Sequence, residues 1–172
     1  MTTKITTGMM KNVASKTVSS KSSGDEGKVV QLDSTGGIPK ALFATEGTWT
    51  PVVKIGTTVI TSSGGSGSYT QIGNRVFITG TINFNRGTNT GDLTIEGLPV
   101  TSASGKTSVL TMSGGSYLDF APALRAIVSS ATTTVTPQRI PASTTATIFA
   151  MNDTHIKAST EVTIYLSGSY EV

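Results

Sequence analysis

Residues 75 to 84 read RVFITGTINF, and the alternation within them decides the fold class. Side chains two apart share one face of a strand. Val76, Ile78, Gly80 and Ile82 therefore lie together, joined by Phe84, while Phe77, Thr79, Thr81 and Asn83 lie opposite. One apolar face predicts a strand that covers a core. The same period of two runs through the rest of the chain from Thr48: WTPVVKI, SYTQIG, DLTIEGLPV, TSVLTM, YLDFAPALRAIV, TTVTPQRI, ATIFAM and EVTIYLSGSYEV, each bounded by Gly, Ser, Asn or Asp. Closely spaced short strands predict an all-β fold: an antiparallel β-sandwich or barrel-like domain over residues 47 to 172. Two stretches read as exposed loops, TSSGGSGS at 61 to 68 and the hairpin tip NRGTNTG at 85 to 91. There is no tandem repeat of the kind that builds a solenoid.

Composition agrees. Ser and Thr make up roughly 30% of the 172 residues, and Thr, Val and Ile suit a pleated surface better than a helix. With no Cys there is no disulfide, thiolate nucleophile or zinc-thiolate site, so stability has to come from packing or assembly. No apolar run approaches the ~20 residues that span a bilayer, and residues 1 to 28 lack the apolar stretch of a secretory signal, which predicts a soluble protein with no membrane partner.

The net charge of +3 is unevenly placed. Lys4, Lys11, Lys16, Lys21 and Lys28 face only Asp25 and Glu26 within residues 1 to 28, and the eight remaining basic residues balance eight acidic ones. Residues 1 to 23 thus read as a basic arm. Ile5, Met9 and Val13 fall at helical spacing, with Met10 beside them, in a segment too short and too polar to fold alone. Such an arm orders against a partner, and Lys4, Ile5, Met9, Met10, Lys11, Val13 and Lys16 are its candidate contacts. It holds no Arg and no aromatic side chain, so it lacks the usual means of gripping nucleic acid, and an acidic protein surface is the expected partner. Residues 24 to 46 read as a connector: an extended piece at Val29 to Leu32, a turn at 33 to 37, and one helical turn opened by Pro39. Its apolar anchors are Val29, Leu32, Ile38, Leu42 and Phe43.

Catalytic chemistry finds little support. His155 has Asp153 two residues before it, but no G-x-S-x-G elbow supplies a nucleophile. One His offers one metal ligand where structural sites usually need four, so a metal would require a threefold axis. Asp92 and Glu96 share one side of a strand but stand ~13 Å apart, against the ~5 Å of a retaining glycosidase pair. The glycines at 64 to 67 lack the Lys-Ser/Thr ending of a phosphate loop. No cofactor is expected. Trp49, Tyr69, Tyr117, Tyr165 and Tyr170 are either core and interface residues or platforms for sugar rings, and Asn85, Arg86, Asn89 and Tyr117 are the candidate glycan contacts.

Four segments carry a resemblance: GTWTPVV at 47 to 53, SYTQIGNRVFITGTINF at 68 to 84, TGDLTIEGLPV at 90 to 100, and the terminal LSGSYEV. Together they resemble the C-terminal β-domains of bacteriophage tail fibres and related head fibres or capsid decoration proteins. The connector GDEGKVVQLDSTGGIPKALF is similar to the linkers that precede such domains. The resemblance implies a homotrimeric virion protein, made in the host cytoplasm, that is attached through its N-terminus to the major capsid protein or a tail component, and it implies no enzyme. It marks Trp49 and Pro51 at the start of the domain, Tyr69, Gly73, Val76 and Ile78 on the central hairpin, and Gly97, Leu98 and Pro99 at its exit. With only 46 residues ahead of the β-domain, a short head fibre or decoration protein is expected; the alternative is a receptor-binding tip that touches host surface glycan.

Overall fold

The structure is a computed structural model that describes residues 17–18, 29–30, 35–38, 43–60, 64–114, 123–140, 148–158 and 160–172. The chain divides into two compact units, Met1–Thr45 and Glu46–Val172.

In the first unit β1 (Thr17–Val18) pairs in parallel with β2 (Val29–Val30), setting Thr17 against Val29 and Val18 against Val30. The candidate arm contacts Lys4 to Lys16, the turn opened by Pro39, and the anchors Leu32 and Leu42 lie outside the described residues. Two other anchors require correction. Ile38 and Phe43 are 58% and 53% exposed, so neither is buried within the chain: apolar character alone does not supply a surface to pack against.

The remaining strands are β3 (Ala44–Trp49), β4 (Val52–Ile55), β5 (Thr58–Val59), β6 (Gly64–Ile72), β7 (Arg75–Asn85) and β8 (Leu93–Glu96). After them come β9 (Ser108–Gly114), β10 (Ala123–Val128), β11 (Val135–Ile140), β12 (Phe149–Ala150) and β13 (Glu161–Glu171). They form one sheet in the order β3-β6-β7-β13-β9-β10-β11-β8-β4-β5, with β12 on β11. β7 is the axis of this sheet: it pairs antiparallel with β6 on one side and along its whole length with β13 on the other, from Asn85 opposite Glu161 to Arg75 opposite Glu171.

The period of two holds throughout these central strands. Val76, Ile78, Ile82 and Phe84 of β7 are buried, as are Val162, Ile164, Leu166 and Tyr170 of β13. Leu93 and Ile95 of β8 and Val53 and Ile55 of β4, from the far half of the sheet, belong to the same buried cluster. A single sheet whose two halves share one core has to curl, and this one is a half-barrel, the barrel-like form of the all-β expectation.

One loop expectation fails. Gly64 to Ser68 belong to β6, with Gly65 opposite Ile82 and Gly67 opposite Gly80. The glycines are there to make room. A Cβ at Gly67 would sit 2.0 Å from Trp49 Nε1 and one at Gly80 would sit 2.9 Å from Trp49 Cζ2, so the indole occupies the space that two side chains would fill. Trp49, 5% exposed, donates its ring N–H to the Thr79 carbonyl at 3.0 Å. Pro51 lies beside Gly65 at ordinary contact distance, 3.4 Å from the place of a Cβ. Pro51 also falls in the break between β3 and β4, where the missing N–H is not needed for a ladder.

The other marked positions join this contact. Tyr69 rests against Gly47, and Gly73, at φ +58°, takes the left-handed conformation that the two-residue turn between β6 and β7 requires. Gly97, at φ +92°, lets the β8 exit approach the Thr50 carbonyl, where a Cβ would come within 2.5 Å. Leu98 is buried in the core. Tyr170, fully buried, donates its hydroxyl to the Val100 carbonyl at 2.8 Å and accepts from the Val100 N–H at 3.3 Å. The terminal strand thereby pins the segment that follows Gly97-Leu98-Pro99.

Replacing Gly67 with Ala should destabilise the domain by about 1–3 kcal/mol through overpacking against Trp49, read as a lowered urea midpoint with shifted Trp emission. Gly64→Ala, where nothing lies within 4 Å of the new Cβ, should leave both unchanged. Phe84→Ala in the core should cost about 3–5 kcal/mol in the same titration.

Candidate binding face

The face of β6, β7, β13 and β9 turned away from the core is built from hydroxyls. Register places Ser68 opposite Thr79, Thr79 opposite Ser167 and Ser167 opposite Thr111, with Ser66, Thr81, Tyr165 and Ser113 in the neighbouring row. Ser68 Oγ and Thr79 Oγ1 are 2.8 Å apart and hydrogen-bonded. Tyr165 stands among these small side chains 52% exposed. The result is a concavity of about 540 Å³ lined by Thr48, Ser66, Ser68, Thr79, Thr81 and Tyr165, with Gly67, Gly80 and Leu166 contributing to it. Among the described residues no charged side chain lines it. Phe77, 46% exposed, continues this face into a smaller hollow with Tyr69 and Thr70.

The glycan candidates of the 85 to 91 loop sit elsewhere and are engaged within the chain. Arg86 donates Nε to the Ile156 carbonyl at 3.0 Å and Nη1 to the Asn89 carbonyl at 3.1 Å, and lies 3.6 Å from Asp153 Oδ2. Asn89 returns its amide to the Arg86 carbonyl at 2.9 Å. Asn85 Oδ1 accepts from the Gly87 N–H at 2.9 Å. Arg86 and Asn89 are half-buried, so the tip is less exposed than expected: its polar groups close the loop on itself. Tyr117 lies outside the described residues. Of the other aromatic candidates, Trp49 and Tyr170 are core residues and Tyr69 is partly buried against the core, which leaves Tyr165 exposed. Sequence reading missed the Ser/Thr concavity because its residues are dispersed over β3, β6, β7 and β13. Only the register reveals that 66 and 68, 79 and 81, and 165 adjoin.

His155 closes a short 3-10 turn, Asp153–His155, capped by Asn152. Its Nδ1 accepts the Asn152 N–H at 3.2 Å, while Asp153 Oδ1 accepts the Gly91 N–H at 2.9 Å. Asp153 thus ties the loop at 91 to the turn, and His155 closes the turn's own cap. Burial, and then the nearby Arg139 charge, hold the His155 pKa below its ordinary value of 6.5. Burial pushes the Tyr170 phenol up to about 12, so it stays a hydrogen-bond donor at all ordinary pH. Glu96 is paired with Lys54 at 2.8 Å across β8 and β4, and the Asp92 backbone forms an isolated antiparallel β-bridge with Asn152. Among the described residues no group of three His, Asp or Glu side chains is placed to hold a metal ion.

No family model matches the chain, and no curated protein matches it. Among solved structures the Dettilon tailspike protein, gp208, aligns with a TM-score of 0.62 and 18% identity, over 90% of this chain and 31% of that one. The chain therefore spans less than a third of the tailspike's length, and what the two share is the fold.

A lowered folded-state pKa means that the neutral imidazole is favoured by the fold. Its contribution is present above pH 6.5 and is lost as pH falls through the lower folded value. Thermal midpoints measured downward from neutral pH should therefore decline before the carboxylates titrate, and His155→Gln should flatten that early decline.

Proposed function

We propose that the chain is a fibre-type structural component of a phage particle. In this reading it is a homotrimer whose residues 1 to 23 attach to the major capsid protein or a tail component and whose β-domain is displayed outward. The observation that supports it best is the fold shared with a tailspike protein over 90% of this chain, which joins the sequence resemblance without depending on it. The sheet adds a physical reason for assembly. Among the described residues its order ends on β3 and β5, and closed threefold packing covers such edge strands. The excess charge ahead of residue 29 suits docking onto an acidic subunit, and three linked arms gain avidity.

The same reading makes the protein a binder and not an enzyme. In its support, Glu96 is committed to Lys54, and Asp153 to Gly91 and Arg86. Incubation with host polysaccharide should release no reducing ends above a heat-inactivated control.

A second reading, the receptor-binding tip of a tail fibre, is favoured by one observation: the uncharged, hydroxyl-lined concavity beside exposed Tyr165. Adsorption of purified β-domain to host cells would favour the tip over a decoration protein.

Deleting residues 2 to 23 should yield a soluble trimer that is absent from particles. Light scattering that returns one chain per molecule would overturn the trimer, and full incorporation of the truncated chain would overturn the arm.

A further inference from the structure

We infer that the concavity on the outer face of β6, β7 and β13 is a subsite for a neutral sugar ring, with Tyr165 as its platform. The inference rests on the second reading above and gives it a ligand class and a location, away from the 85 to 91 loop.

The chemistry of the lining selects the ligand. Ser66, Ser68, Thr79 and Thr81 offer hydroxyls that both donate and accept, which is what a polyol requires. Among the described residues the lining contains neither a cation to hold a phosphate or uronate nor a carboxylate to hold an amine, so a charged ligand would lose water without gaining a partner there. Tyr165, 52% exposed, presents an apolar ring for the C–H face of a pyranose and a hydroxyl at its rim. The hydroxyls stand on paired strands, with Ser68 and Thr79 already bonded at 2.8 Å, so little ordering is needed on binding.

The architecture also provides a reporter. Gly67 and Gly80 border the concavity, and Trp49, the only Trp in the sequence, lies against the opposite side of both and is bonded to the Thr79 carbonyl. A ring seated over these glycines is one backbone layer from the indole.

The test is a Trp49 emission titration of the full chain with the methyl glycosides of glucose, galactose and mannose, beside glucuronate and glucosamine. A saturable response to at least one neutral glycoside is expected, of millimolar strength, below about 50 mM, as suits a shallow site. Tyr165→Ala should weaken it by at least about fivefold, the loss expected on truncating an aromatic anchor, with an unchanged thermal midpoint. Tyr165→Phe should retain it, and Thr79→Val, which keeps shape and removes a hydroxyl, should weaken it. Silence toward all three neutral glycosides, an equal or stronger response to the charged sugars, or Tyr165→Ala binding like the parent would overturn the inference. A change of oligomeric state in Tyr165→Ala would also overturn it, by assigning the face to contact between copies. Particle incorporation reads the attachment proposal separately: a chain that joins particles and ignores the glycosides defeats this inference alone.

Discussion

The β-domain depends on one contact, the indole of Trp49 seated where Gly67 and Gly80 have no side chains. It joins strands that are remote in the chain. Trp49 ends β3, Gly67 lies in β6 and Gly80 in β7, and the indole N–H reaches the Thr79 carbonyl at 3.0 Å. Pro51 packs beside Gly65, and Gly97 brings the β8 exit onto the Thr50 carbonyl. The path from Trp49 to Val52 is thus held from both sides, and it is there that the chain passes from one end of the sheet order to the other. The cost of glycine in a strand, roughly 0.5–1 kcal/mol against alanine, is offset by burying the largest side chain in the sequence.

The same contact shapes the surface. At their centre β6 and β7 carry Gly65, Gly67 and Gly80 inward and Ser66, Ser68, Thr79 and Thr81 outward, so the layer that receives Trp49 on one side presents a hydroxyl lattice on the other. Antiparallel sheets commonly have one solvated face, but such faces usually carry charge. Here the centre of the face is uncharged, and charged groups appear at its margins, as in Arg75 with Glu171 at 3.3 Å.

How much of this was legible varied by element. RVFITGTINF announced its faces, and Val76, Ile78, Ile82 and Phe84 are buried while Phe77 is exposed. The segment TSSGGSGS did not, because glycine and serine at alternate positions look the same in a turn and in a strand that receives an aromatic side chain. Trp49 was marked at the start of the domain, but its receptor is 18 and 31 residues downstream. The 85 to 91 loop was recognised as polar, yet polarity alone does not tell a surface that binds from a loop that satisfies itself, and Arg86 and Asn89 do the latter.

The sequence by itself determined the all-β class, the inward and outward faces of β7, and the separation of a basic N-terminal segment from a formally neutral remainder. These follow from local rules, since side-chain alternation and charge are properties of neighbours in the chain. Only the tertiary structure decided that the glycines of β6 and β7 hold Trp49, that Tyr170 pins the Val100 backbone, and that six dispersed Ser, Thr and Tyr residues share one concavity. Those depend on the register of strands far apart in sequence. A shift of one residue in that register would have sent every hydroxyl to the core and every apolar side chain to water.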